Sequence, residues 1–186
     1  ASNNTAVGFE SLVSNTTGTR NVALGASALD ANTVGDKNVA IGMDALGTNV
    51  DGSRSVAVGD SALAAQDPAS AVEMYNTAVG HAAGTAVTTG IYNNLIGGLA
   101  GDALTTGSSN AVLGYSALSS DTEGNHSIAI GYQALTAQNF ATATNVYNVA
   151  IGTSAGAAVT TGVQNTLIGG LAGDALTDAD ANVAVG

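Results

Sequence analysis

The residues able to do chemistry are few, and their spacing brings almost none of them together. His81 and His126 are the two histidines, and no motif pairs either with a serine nucleophile. Cleavage of a glycosidic bond needs two carboxyl groups roughly 5–10 Å apart. The nearest acids in sequence are Asp121 with Glu123 and Asp178 with Asp180, which read as solvated turn residues. A calcium site wants about six oxygens or more, and Asp178-Ala179-Asp180 offers two carboxylates. Gly97-Gly98-Leu99-Ala100-Gly101-Asp102 is glycine-rich, but without the short period of a calcium-binding β-roll. Thr16, Thr33, Thr88, Thr105, Thr122, Thr160 and Thr177 recur in phase without the Thr-x-Thr array of an ice-binding face. No catalytic residue, metal or cofactor is expected.

One set of residues does stand out. Arg20, Lys37, Arg54, Tyr75, Tyr92, Ser109, His126, Tyr147 and Gln164 follow one another at intervals of 17 or 21 residues. The set holds every basic residue of the chain and three of the five tyrosines. Large, variable, polar side chains at a fixed point of a repeat make an outward stripe. Tyr and Arg dominate recognition surfaces, so the stripe is a candidate contact for a glycan or another protein. The plainer reading is that an outward strand edge tolerates such residues, and that the bases offset Asp36 and Asp51.

What positions the stripe is the repeat. Eleven glycines close short aliphatic runs: Gly8, Gly25, Gly42, Gly59, Gly80, Gly97, Gly114, Gly131, Gly152, Gly169 and Gly186. Their separations are 17 residues, apart from two of 21. A fixed period of this length means one unit stacked on its copies. The runs are strand-like and too short for helices, so the chain is expected to be all-β, a parallel β-solenoid of 17-residue coils. Residues 1–186 form a single repeat domain of ten short coils, roughly 50 Å long at about 4.8 Å per coil. Both ends lie in repeat phase, which suggests a segment of a longer protein.

Each column of the repeat has its own character. Immediately before the anchor stand Val7, Leu24, Ile41, Val58, Val79, Ile96, Leu113, Ile130, Ile151, Ile168 and Val185, read as a buried structural ladder. Two before it are mostly alanines, with Leu95, Val112 and Leu167 as the large exceptions. Successive strand residues face opposite ways, so both faces are apolar. The alanine face is expected to be covered by other copies of the chain. Four before the anchor is Asn in nine units and Ser in two (Ser55, Ser127), read as a stacked structural ladder. Ten after most anchors comes a second glycine, such as Gly18 or Gly35, assigned to a turn of positive φ.

Four after the anchor the unit has either Leu (Leu12, Leu29, Leu46, Leu63, Leu118, Leu135) or Gly (Gly84, Gly101, Gly156, Gly173). The two forms predict two packings of a second strand or turn. A 72-residue super-repeat overlies the coils and includes the two longer units, whose loops fall near 64–74 and 136–146. Loops of this kind are where solenoids vary their function.

Composition narrows the classes. There are 25 Gly, no Cys and no Trp, and only 9% of residues are charged. The net charge is −11, and residues 55–186 hold no Lys or Arg. Such a surface repels phosphate backbones, which excludes nucleic acid as a partner. No apolar run approaches the ~20 residues of a membrane span.

The runs Asn38-Val39-Ala40-Ile41-Gly42 and Ser127-Ile128-Ala129-Ile130-Gly131 resemble head repeats of trimeric autotransporter adhesins. The fuller pattern Asn4-Thr5-Ala6-Val7-Gly8-Phe9-Glu10-Ser11-Leu12, followed by Ser14-Asn15-Thr16-Thr17-Gly18, is more similar to repeats of phage tail fibres. The coil is longer than that of the adhesin heads, and no neck or coiled-coil heptads accompany it. The resemblance implies a left-handed β-roll assembled as an intertwined or side-by-side homotrimer. It also implies a virion fibre segment that meets other fibre or baseplate proteins and a host cell-surface glycan or protein. A bacterial surface adhesin head is the alternative, and a fibre-borne polysaccharide depolymerase a more distant one.

Overall fold

The computed structural model describes all 186 residues and contains no helix. Its strands are β1 (Thr5–Val7), β2 (Val22–Leu24), β3 (Val39–Ile41), β4 (Val56–Val58), β5 (Thr77–Val79), β6 (Asn94–Ile96) and β7 (Ala111–Leu113). There follow β8 (Gly124–Asn125), β9 (Ile128–Ile130), β10 (Thr144–Asn145), β11 (Val149–Ile151), β12 (Thr166–Ile168) and β13 (Val183–Val185). Eleven of them form one parallel sheet in chain order, and β8 pairs with β10 beside it. Each strand sits in register on the next, Ala23 against Ala40 and Ala40 against Ala57. The chain is a parallel β-solenoid with 17-residue spacing.

Most coils hold one strand, and only two add a short second one, β8 and β10. The arc after each anchor is built of turns, and the reason lies in its dihedrals. The residues two and four after the anchor have positive φ, as in Ser27 (55°) with Leu29 (52°) and Gln133 (54°) with Leu135 (52°). Left-handed dihedrals break β-geometry and cost on the order of 1 kcal/mol per residue. Coil-to-coil hydrogen bonds offset that cost. The Leu12 N–H donates to the Ala28 carbonyl at 3.1 Å, and Leu29 to Ala45 at 3.1 Å.

The two strand faces are exchanged relative to the sequence expectation. The alanine column is the interior: Ala23, Ala40, Ala57, Ala78, Ala129 and Ala150 are fully buried within the single chain. The column before the anchor points outward, with Leu24 46% and Leu113 47% exposed. The coil is too thin for a branched side chain on the inner face of every strand. Its interior is filled by Leu29, Leu46, Leu63, Leu118 and Leu135 reaching across from the turn arc. Alanine opposite leucine fits that space.

Where the inner strand residue is leucine, the arc gives way. Leu95 lies between Gly84 and Gly101, and a Cβ at Gly101 would sit 2.9 Å from the Leu95 Cδ2. Leu167 lies in the same way against Gly173, at 2.6 Å. The two unit types are therefore two ways of filling one volume, the kind of exchange that cores tolerate best. The position seven after the anchor follows suit. It is polar beside Leu (Asn15, Asn32, Asn49, Gln66, Asp121, Gln138) and apolar beside Gly (Val87, Leu104, Val159, Leu176).

The Asn ladder is buried and fully bonded. Asn21 donates its amide to the Gly35 carbonyl at 2.8 Å and accepts from the Asn38 N–H at 2.8 Å. The same pair of bonds recurs from coil to coil, as at Asn93 with Gly107 and Asn110. At the two serine positions a glutamine from the longer coil fills in. Gln66 accepts from Ser55 (3.2 Å) and Asn76 (3.0 Å), and donates to Asn49 (3.0 Å). Gln138 makes the equivalent bridge between Ser127, Asn148 and Asp121.

The second glycine is required for space and not for positive φ. A Cβ on Gly18 would fall against the Asn15 amide and the Gly35 carbonyl. In the longer coils the tips, 69–71 and 141–143, are exposed, as are Glu73, Asn139 and Asn145, while Met74, Phe140 and Val146 are buried at their bases.

Candidate binding surface

The stripe lies on the turn that leads into each strand. Its members all adopt left-handed backbone, from Arg20 (60°), Lys37 (59°) and Arg54 (64°) to Tyr75 (53°), Tyr92 (62°), His126 (62°) and Tyr147 (56°). Most of their N–H groups are spent on the coil before: Lys37 donates to the Thr19 carbonyl at 2.9 Å and Tyr92 to Met74 at 2.9 Å. The side chains are thereby aimed outward one above another. Arg20, Tyr75, Tyr92, His126 and Tyr147 are exposed, and Lys37 and Arg54 half-buried.

The coil spacing turns the stripe into a ladder of stacked groups. Tyr75 and Tyr92 stack with centroids 5.8 Å apart, and His126 and Tyr147 at 5.1 Å with planes within 5°. The Arg54 guanidinium caps the first pair, 5.5 Å from the Tyr75 centroid. Arg54 also donates to Glu73 at 2.6 Å, and the Tyr75 hydroxyl donates to the other Glu73 oxygen at 2.8 Å. The bonds from Tyr75 and Arg54 hold the Glu73 carboxyl below its usual range, and the bond to Glu73 pushes the Tyr75 hydroxyl up. Arg54–Tyr75 and His126–Tyr147 are 72 residues apart, so the super-repeat places a basic ring or fork on a tyrosine twice. At the other end, Asp36 accepts from the Thr19 N–H at 2.6 Å and lies beside Lys37 and Arg20, which keeps its carboxyl low.

The remaining candidate residues are put to structural use. Asp121 is fully buried, not a solvated turn acid. It accepts from Gly124 N–H (3.1 Å), Phe140 N–H (3.0 Å) and the Gln138 amide (2.6 Å). Asp180 is exposed and caps the Val163 N–H at 2.8 Å, while Asp178 accepts from Thr177 at 3.2 Å. The threonine hydroxyls donate to the next coil, Thr16 to the Thr33 carbonyl at 3.0 Å and Thr105 to Thr122 at 3.0 Å. His81 is exposed, 3.5 Å from an Asp60 oxygen. No group of acids and histidines converges as metal ligands.

Burial raises the Asp121 carboxyl above its ordinary value despite its three donors, and raises Asp102 in the same way. A raised folded-state pKa means the native chain binds more protons than the unfolded one in that window. The stability these two groups contribute is therefore fullest below the ordinary Asp range and falls as pH rises through it toward the raised value. Asp36 works in the opposite sense, losing its contribution as pH falls below the ordinary range. Asp121→Asn should flatten the Asp121 part of the profile, read as denaturant midpoint against pH. An unchanged slope would show that Asp121 is not the group responsible.

A second outward column escaped the sequence reading. One residue after the anchor come the exposed side chains Phe9, Met43, Tyr115 and Tyr132, with Tyr115 and Tyr132 stacked at 5.9 Å. The signal was present as a recurring large apolar residue, diluted by small residues in the same column. The exposed surface thus carries an aliphatic ladder, a cation–aromatic ladder and this shorter stack, with no cavity to enclose a substrate. No known protein family, curated protein or solved structure matches the chain.

Proposed function

We propose that the chain is a segment of a homotrimeric fibre, a left-handed β-roll of the phage tail-fibre kind, which spans distance and presents repeated surface to a host cell. The observation that carries the reading is the unbroken column from Val7 to Val185, branched aliphatic in every coil and exposed or half-buried on the single chain. Monomers rarely expose an apolar stripe of this extent. Burying the exposed part of each rung stabilises by about 1 kcal/mol at ~25 cal/mol per Å². Identical chains in register supply a matching ladder at every level. The partners are then two further copies, other fibre or baseplate proteins, and a host glycan or protein met by the stripe. Weak contacts repeated along and around such a rod add by avidity. The adhesin-like runs at Asn38–Gly42 and Ser127–Gly131 favour a bacterial surface adhesin as second reading.

The test is native mass measurement of the protein and of Ile96→Asp/Leu113→Asp. These side chains are outward, so the coil itself survives the change while six carboxylates crowd the trimer axis. The expected result is a trimer for the parent and a folded monomer for the variant. A parent that stays monomeric at micromolar concentration overturns the reading.

A further inference from the structure

The cation–aromatic ladder has one missing rung, and we propose that the notch it leaves binds a single pyranose ring with equatorial hydroxyls. Arg54, Tyr75 and Tyr92 stack upward and Tyr147 stacks on His126, but between Tyr92 and His126 stands Ser109. Ala111, the outward residue of β7 next along the strand, is small as well. The coil is therefore recessed between Tyr92 with Asn94 on one side and His126 with Ile128 on the other.

Register fixes the width. Tyr92 and His126 are two coils apart, about 9.6 Å at ~4.8 Å per strand spacing. A ring inserted at the level of Ser109 sits about 4.8 Å from each, within the 4.5–7 Å range of stacked rings. It is also close to the 5.1 and 5.8 Å that the ladder adopts elsewhere. Tyr75 covers one face of Tyr92 and Tyr147 covers one face of His126; the faces of Tyr92 and His126 that look toward Ser109 carry no stacked ring.

The surrounding polar groups suit a sugar. The Asn94 amide, Ser109 hydroxyl and His126 imidazole make no hydrogen bond within the chain, and the Ser109 and His126 backbone N–H groups are already used. A pyranose with equatorial hydroxyls presents C–H groups to both faces and hydroxyls around its edge. That matches two π-faces with free donors and acceptors at the rim. The notch is open on its outer side, so a residue within a longer glycan fits as well as a terminal one. It lies at the far end of the outward face from the aliphatic ladder, up to about 13 Å away along the strand.

The proposal uses residues of one chain and does not rest on the fibre reading. Glucoside binding by the monomeric Ile96→Asp/Leu113→Asp variant would separate the two. The probe is methyl β-glucopyranoside, titrated while the His126 ring resonances are followed. Saturable binding in the millimolar range is expected. Ser109→Tyr completes the stack with a residue its column accepts at Tyr75, Tyr92 and Tyr147, so it folds. That variant and Tyr92→Ala should each weaken binding about tenfold or more. Methyl β-galactopyranoside, with one axial hydroxyl, should bind more weakly. Equal affinity in Ser109→Tyr, no binding of the glucoside, or occupancy of the notch by adenosine in its place overturns the proposal.

Discussion

Gly59→Ala should prevent the solenoid from forming across its fourth and fifth coils. The Gly59 backbone has φ +141°, a region that L side chains rarely adopt, and a Cβ there would lie 2.6 Å from the carbonyl carbon of Gly80. Backbone strain of that kind costs about 1–3 kcal/mol. The clash adds to it, because the obstacle is main chain and cannot rotate away. Gly80 meets Gly97 in the same way at 2.5 Å, so the coils above have no slack into which to shift. Loss of several kcal/mol is expected, seen as a large drop in denaturant midpoint or as failure to fold. Gly170→Ala is the control: a Cβ at Gly170 meets nothing, and the change should be close to neutral. Equal behaviour of the two variants would refute the steric account of the anchor column.

Leu95→Ala is expected to cost about 2–5 kcal/mol, at the upper end for a leucine truncation. Leu95 is fully buried and its nearest neighbours in the arc, Gly84 and Gly101, have no side chains to fill the void. Adding Gly101→Leu should recover part of the loss. Leucine already occupies that column with left-handed backbone at Leu118 (53°) and Leu135 (52°), and the Gly101 backbone is at 56°. Denaturant midpoints of the single and double variants check both halves of the claim. No recovery would show that the two unit types are not exchangeable packings of one volume.

The strand positions, their parallel stacking and the sites of the two longer loops were all legible in the spacing of the anchor glycines. That spacing is set by backbone contact between coils and tolerates no drift, so it survives in the sequence undisguised. The inner and outer faces were not legible. Alternation tells which residues share a face, but both faces of these strands are apolar, and the deciding partner is the leucine of the turn arc. Whether the arc was a second strand or a turn was not legible either, because Ser27, Leu29, Gln133 and Leu135 are not residues that announce positive φ. Gly18 misled in the other direction: glycine there answers crowding by Asn15 and Gly35, not a need for a left-handed turn.

Of the surface, the stripe was visible as composition, since its column alone holds Arg20, Lys37, Arg54 and three tyrosines. What was hidden is that stacking pairs those side chains, Tyr75 with Tyr92 and His126 with Tyr147, and that Ser109 interrupts the stack between the pairs. Asp121 was hidden too. A carboxylate in a column of amides reads as an exposed turn acid until Gln138, from the following coil, is seen to close over it.

Every rung of the sheet joins residue i to residue i+17, or i+21 across the long coils. The molecule therefore behaves as a ruler whose divisions are whole turns. Duplicating or deleting one entire division leaves each remaining side chain beside its proper neighbour. Losing a single residue inside a short turn throws everything beyond it out of step. Length in such a protein is consequently free to evolve in large jumps, while its cross-section is held almost fixed.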